Sequence, residues 1–155
     1  MSGASAPHMS GSTRTRKAGD RCGRVQGTGP GTGPEGSLDE LLADAEPPQY
    51  IAIQAFIDPA REAELDGLVH RARETGCVVT KGLGPRYLHS TGQLHKGGPN
   101  SILSVQVVDD FGEELEIPGR DFGFRQLIAA QAAGDLEALK ERGRQVCRVQ
   151  LDDLK

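Results

Sequence analysis

Residues 50–57 (Tyr-Ile-Ala-Ile-Gln-Ala-Phe-Ile) form a near-continuous apolar run of strand length, which predicts a central β-strand. Asp58-Pro59 follows, an N-cap residue with proline at the first helical position. Leu65, Leu68, Val69 and Ala72 then recur at helical spacing, and Gly76 suits the position just past the helix end. Residues 77–80 predict a second strand and residues 102–108 a third, followed by an acidic turn over 109–116 with a short strand at 115–117 before Pro118-Gly119. The pattern over 122–141 is helical, interrupted at Gly134-Asp135, where Asp135 suits the cap of a second short helix. Residues 146–151 alternate, with Cys147, Val149 and Leu151 on one face of a last strand. Ahead of all this, Ser37 and Glu40 make a capping box over Leu38, Leu41 and Leu42, and Pro47-Pro48 ends that short helix. The order is β-α-β-β-α-β behind a small helix. Its simplest architecture is an α+β, ferredoxin-like two-layer sandwich.

Residues 1–36 carry no such pattern. They are Ser, Gly, Thr, Arg and Pro, with a Gly-Thr-Gly-Pro duplication over 27–34, and cannot bury enough apolar surface to offset the entropy of ordering. The expected organisation is a disordered basic arm over 1–36 and one folded domain over 37–155. The charge divides in the same way: residues 1–37 have a net charge of +3 and residues 38–155 a net charge of −7. An acidic folded part argues against general nucleic-acid binding, in which phosphate neutralisation dominates affinity. RNA contact through the basic arm is the remote alternative. Three cysteines (Cys22, Cys77 and Cys147) without CxxC spacing fit a reducing compartment better than a disulfide framework or a zinc site. No stretch has the apolar length of a membrane span and no secretory h-region opens the chain, so a cytoplasmic location is expected.

Against this background one run is distinctive. Residues 84–100 read Gly-Pro-Arg-Tyr-Leu-His-Ser-Thr-Gly-Gln-Leu-His-Lys-Gly-Gly-Pro-Asn, inside a window, 75–108, that has no acidic residue. On the ferredoxin-like reading the run is a long loop between the second and third strands, and loops of that length in compact domains are commonly functional. Donors without acceptors suit an anion. Arg86 offers a bidentate fork and Lys96 a point charge, while His89 and His95 can move protons near neutral pH. A Walker A loop is excluded because Lys96 precedes Gly97, and the dinucleotide fingerprint fails because Tyr87 stands where its third glycine belongs. A metal site would need ligands from elsewhere, since His89 and His95 have no neighbouring carboxylate or cysteine. The plain structural alternative is that these side chains cap backbone groups in an Ω-like loop.

The same run resembles one in bacterial glucose-6-phosphate isomerases, particularly those fused behind a transaldolase. The resemblance extends through Ile117-Pro118-Gly119, Phe122-Gly123-Phe124, residues 130–135 and residues 143–151, and so covers roughly 48–151. It implies aldose–ketose isomerisation of glucose 6-phosphate and fructose 6-phosphate through an enediol, with no cofactor and no metal. It makes His89, His95 and Lys96 candidates for acid–base or orienting roles, and Arg86, Ser90, Thr91, Gln93 and Asn100 candidates for contact with a hexose phosphate. Isomerases of this kind carry two sugar-isomerase domains ahead of the segment. The resemblance therefore implies a part completed by a protein chain with sugar-isomerase or transaldolase domains. The alternative is a non-catalytic module that binds sugar phosphates or another protein. The run has no carboxylate base of its own, and Asp109, Asp110 or Asp121 would have to fold back to supply one.

Overall fold

The computed structural model describes residues 37–155, and the arm expected over 1–36 lies outside them. Four strands, β1 (Tyr50–Phe56), β2 (Val78–Leu83), β3 (Ile102–Val108) and β4 (Gln145–Gln150), form one sheet in the order β2-β1-β3-β4. Every neighbouring pair is parallel. This corrects the ferredoxin-like α+β sandwich, whose sheet is antiparallel: the fold is mixed α/β. The difference lies between β2 and β3. Residues 84–101 are not a hairpin loop but a crossover carrying a helix, α3 (Thr91–Gly97), and parallel neighbours require such a connection.

The other helices are α1 (Ser37–Ala43), α2 (Asp66–Glu74) and α4 (Phe124–Glu141), with 3-10 segments at Pro59–Leu65 and Leu151–Leu154. Asp58 caps the first of these segments, its Oδ1 accepting from the Ala60 N–H at 2.8 Å. Gly76 and Gly143 take φ of +79° and +66° just beyond α2 and α4, a conformation that costs a glycine little. The strand expected at 115–117 reduces to a single bridge between Glu116 and Gly123. Helix α4 runs unbroken through Gly134-Asp135, so Asp135 caps nothing.

Register divides the sheet into two unlike faces. Ile51, Ile53 and Ala55 of β1 lie beside Leu103, Val105 and Val107 of β3, and pack with Leu42, Leu65, Leu68, Ala72 and Leu151 into an apolar core. On the opposite face, Gln54 of β1 and Ser104 and Gln106 of β3 are all buried, beneath α3 and α4, which bring buried His95 and Asp135. Right-handed crossovers explain the division. The chain steps from β1 out to β2 with α2 on one face. It then returns past β1 to β3 and β4, which places α3 and α4 on the other. The direction reverses between β1 and β3, so that pair is the topological switch point, the place where open α/β sheets take ligands beyond their carboxyl ends.

Candidate functional site

The run 84–100 is half embedded and half presented. Gly84 packs on Phe56 so closely that a Cβ there would fall 2.5 Å from the ring. From this point the chain turns, and Tyr87 enters the interior, its ring meeting Phe56 edge-on at 5.8 Å between centroids. The Tyr87 carbonyl accepts from the Ser90 N–H, the Gly92 N–H and the Ser90 hydroxyl at 2.9, 2.9 and 3.1 Å. Gly92 is buried against that carbonyl and the Tyr87 ring, where a side chain has little room. Gln93 reaches back to donate to the Leu88 carbonyl at 2.9 Å. Ser90 and Gln93 therefore spend hydrogen bonds on shaping the turn into α3.

The far end of α3 is held by the turn that precedes β4. Arg144 donates through Nη2 to the carbonyls of Lys96 at 2.8 Å and Gly98 at 2.6 Å, and through Nη1 to Asn100 Oδ1 at 3.0 Å. A guanidinium against the last carbonyls of a helix satisfies acceptors that have no intrahelical partner. Asn100 also donates to the Gly143 carbonyl at 3.4 Å. Its observed contacts belong to this clamp.

The inward side chains of the run converge on one carboxylate. Lys96 Nζ lies 2.6 Å from Asp135 Oδ1. The Tyr87 hydroxyl donates to Asp135 Oδ2 at 2.9 Å, and Gln54 Nε2 points to the same oxygen at 3.5 Å. Ser104 donates its hydroxyl to Gln54 Oε1. Burial, reinforced by the Asp135 carboxylate, pushes the Tyr87 phenol far above its ordinary value and keeps it a donor. Asp135, in α4, is thus the acceptor that the acid-free run lacks. Asp109 and Asp110 do not fold back to the run: Asp109 pairs with Arg61 at 2.7 Å, and Asp110 with Arg125. Asp121 is exposed and makes no side-chain hydrogen bond or ion pair among the described residues.

His95 occupies a neighbouring interior position, its Nδ1 3.1 Å from the Tyr50 hydroxyl. Burial pushes its imidazole below the ordinary range; Asp135 opposes this and Lys96 adds to it. The phenol of Tyr50 is raised by its own burial, with Arg144 opposing, and so remains protonated beside a neutral imidazole. The sign of the linkage follows. The unfolded chain takes a proton on His95 near the ordinary value of about 6.5, whereas the folded chain resists it. This contribution to stability is complete above about pH 6.5 and is lost as pH falls through the lower folded value. Urea midpoints are expected to drop between pH 7.5 and 5.5, and the drop should be smaller in His95→Gln. An equal drop in that variant would assign it to other groups. Glu64 and Asp152, held low by Arg61, act only at more acidic pH.

Three candidates remain on the outside. Arg86, His89 and Thr91 are exposed and make no side-chain hydrogen bond or ion pair within the described residues. The eight residues singled out from the sequence therefore fall into two groups. Ser90, Gln93, His95, Lys96 and Asn100 bond within the protein, while Arg86, His89 and Thr91 present unpartnered donors and an imidazole to solvent. Among the described residues no group of three His, Cys, Asp or Glu side chains is placed to hold a metal ion, and no helix is long and apolar enough to cross a membrane. The chemistry within reach of the exposed trio is anion contact and proton transfer.

The residues missed from sequence are Asp135, Gln54 and Ser104. Asp135 follows Ala132 by three positions and precedes Leu139 by four, on the buried stripe of α4. An acid on an apolar stripe needs a buried partner, and that was the available signal.

No family model matches this chain, and comparison with curated proteins gives no match. Among solved structures, the fold is similar to that of a hypothetical protein from Thermus thermophilus, with 24% sequence identity and a TM-score of 0.52. The match covers 64% of this chain and 29% of that one, so the chain spans less than a third of its neighbour. The likeness is one of fold.

Proposed function

We propose that this chain is an isomerase-type segment for hexose phosphates, completed by a protein chain that carries sugar-isomerase or transaldolase domains. The observation that carries the reading is the way residues 84–97 are built. The inward half is fixed to Asp135 and Tyr50, and this holds Arg86, His89 and Thr91 on a rigid support facing outward. Rigid placement of donors lowers the ordering cost of binding and is the form in which electrostatic help to a reaction is greatest.

In this reading Arg86 binds the phosphate and His89 exchanges a proton with the sugar as C1–C2 isomerisation proceeds through the enediol. Thr91 contacts the sugar hydroxyls. His95 and Lys96 act as positioning residues, since their polar atoms already face Tyr50 and Asp135. Asp135 is shut off from solvent, so the carboxylate base belongs to the completing chain. Buried Cys77 is a free thiol and suits a reducing setting; a cytoplasmic location goes with the same reading.

The test is a coupled assay with fructose 6-phosphate, run on this chain alone and mixed with a protein bearing sugar-isomerase domains. Turnover is expected in the mixture, falling about 100-fold or more in His89→Ala. Arg86→Ala should weaken hexose-phosphate binding by about 1.5–3 kcal/mol, the worth of a charge-assisted hydrogen bond. Absence of turnover in both samples would sink the isomerase reading. Amide shifts over 84–100 on adding the sugar phosphate, without turnover, would select the non-catalytic binding module instead.

A further inference from the structure

A second site, separate from the exposed trio and independent of the isomerase reading, lies at the switch point. A cleft of about 530 Å³ opens between the carboxyl ends of β1, β3 and β4 and the first half of α4. Its walls are mainly apolar, from Phe56, Val108, Ile128, Ala129 and Ala132. The charged groups on it are Asp109, Asp110, Arg125 and Arg148. Three of these are already matched: Asp109 faces Arg61, and Asp110 and Arg125 face each other.

Arg148 is different. It is half-buried and has no carboxylate partner. Its Nε donates to Gln106 Oε1 at 2.7 Å and its Nη2 to the Ala132 carbonyl at 3.0 Å. Both acceptors are neutral, and Nη1 has no partner. Burial pulls the guanidinium below its ordinary value and nothing opposes it. By contrast, Arg61 is ringed by Glu64, Asp109 and Asp152. A partly desolvated cation fixed by two neutral acceptors, with a free N–H edge in an apolar cleft, lacks only its counter-charge.

We infer that this cleft binds a small monocarboxylate with a flat apolar body, its carboxylate on Arg148 and its body between Phe56, Val108, Ile128 and Ala129. The charge count favours a monoanion over a phosphate dianion. One unmatched positive charge is available, and the carboxylates of Asp109 and Asp110 line the same rim. A ring suits walls made of two phenyl groups, Phe56 and Phe111, and aliphatic side chains, because pockets of this kind hold the body by apolar burial and orient it with few polar groups.

The probe is benzoate, titrated into the full chain while the methyl signals of Val108 and Ile128 are followed by NMR. Benzyl alcohol serves as the neutral comparator and inorganic phosphate as the anion without a body. Saturable methyl shifts with benzoate are expected at millimolar concentration, with binding at least about tenfold weaker for benzyl alcohol. Arg148→Gln should abolish saturation. Because Arg148 also braces Gln106 and α4, Ala129→Phe provides a second variant that fills the cleft from an exposed helix position and leaves the guanidinium untouched. It too should abolish binding. Three outcomes would overturn the inference: no saturation with benzoate, equal affinity for benzyl alcohol or phosphate, or binding that survives Ala129→Phe.

Discussion

Asp135→Ala is expected to lower the unfolding free energy by about 3–5 kcal/mol, the cost of breaking a buried ion pair from one side. Lys96 keeps only 18% of its side chain exposed, and Asp135 only 1%. Removing the carboxylate leaves an ammonium with no counter-charge, a Tyr87 hydroxyl with no acceptor and a Gln54 amide short of one. Lys96→Met should also be costly, because it strands the acid. Combining Asp135→Leu with Lys96→Met should restore much of the loss, since an apolar pair of similar size replaces the ions. Urea denaturation of Asp135→Leu, Lys96→Met and their combination measures this coupling. Additive losses would show that the two side chains do not act as a pair. The functional reading of Asp135 is separate and follows from the same variant. If the carboxylate holds residues 84–97 in place, their amide dispersion should fall in Asp135→Ala even under conditions where the sheet is intact.

Phe56→Ala is the second large effect, expected at about 3–5 kcal/mol for a fully buried ring. Phe56 is 1% exposed and stands at the end of β1, where it meets the Tyr87 ring, the Gly84 backbone and the cleft at once. Its loss removes apolar burial and leaves a void that the rigid strand end cannot close. The variant should also loosen the turn at 84–90, because Tyr87 loses the surface against which it packs. Phe56→Leu, which retains most of the volume, is expected to cost less. Denaturation curves for the two variants compare directly, and equal losses would rule out the cavity explanation.

The elements that local chemistry defines were legible from sequence. Asp58-Pro59 starts a helical segment, Gly76 ends a helix, and the apolar runs at 50–57 and 102–108 are strands. Legibility failed where tertiary context decides. Thr91–Gly97 has one large apolar residue, Leu94, and that side chain is exposed. Its helix is held by Tyr87, Arg144 and Asp135 rather than by an amphipathic pattern, so no periodicity announces it. Missing that helix turned a crossover into a loop and a parallel sheet into an antiparallel one. A signal was present all the same: β1 and β3 are apolar almost without alternation, as strands covered on both faces are. Gln54 and Gln106, set in those runs, marked the polar face beneath α3 and α4. Within the candidate site, the donors of 84–100 were visible as a cluster, but which of them turn inward was not. That depends on Asp135, far along the chain, and on the register that brings α4 over β1.

The clamp from Arg144 onto the end of α3 has a consequence for the order in which the protein is made. Residues 84–100 are synthesised well before Asp135 and Arg144, the two side chains that secure them. During synthesis from the N-terminus, the exposed trio can take up its fixed placement only once Asp135 and Arg144 have emerged. A polypeptide stopped short of α4 carries every residue of the run and neither Asp135 nor Arg144, so the assembled surface is confined to chains that extend past that clamp.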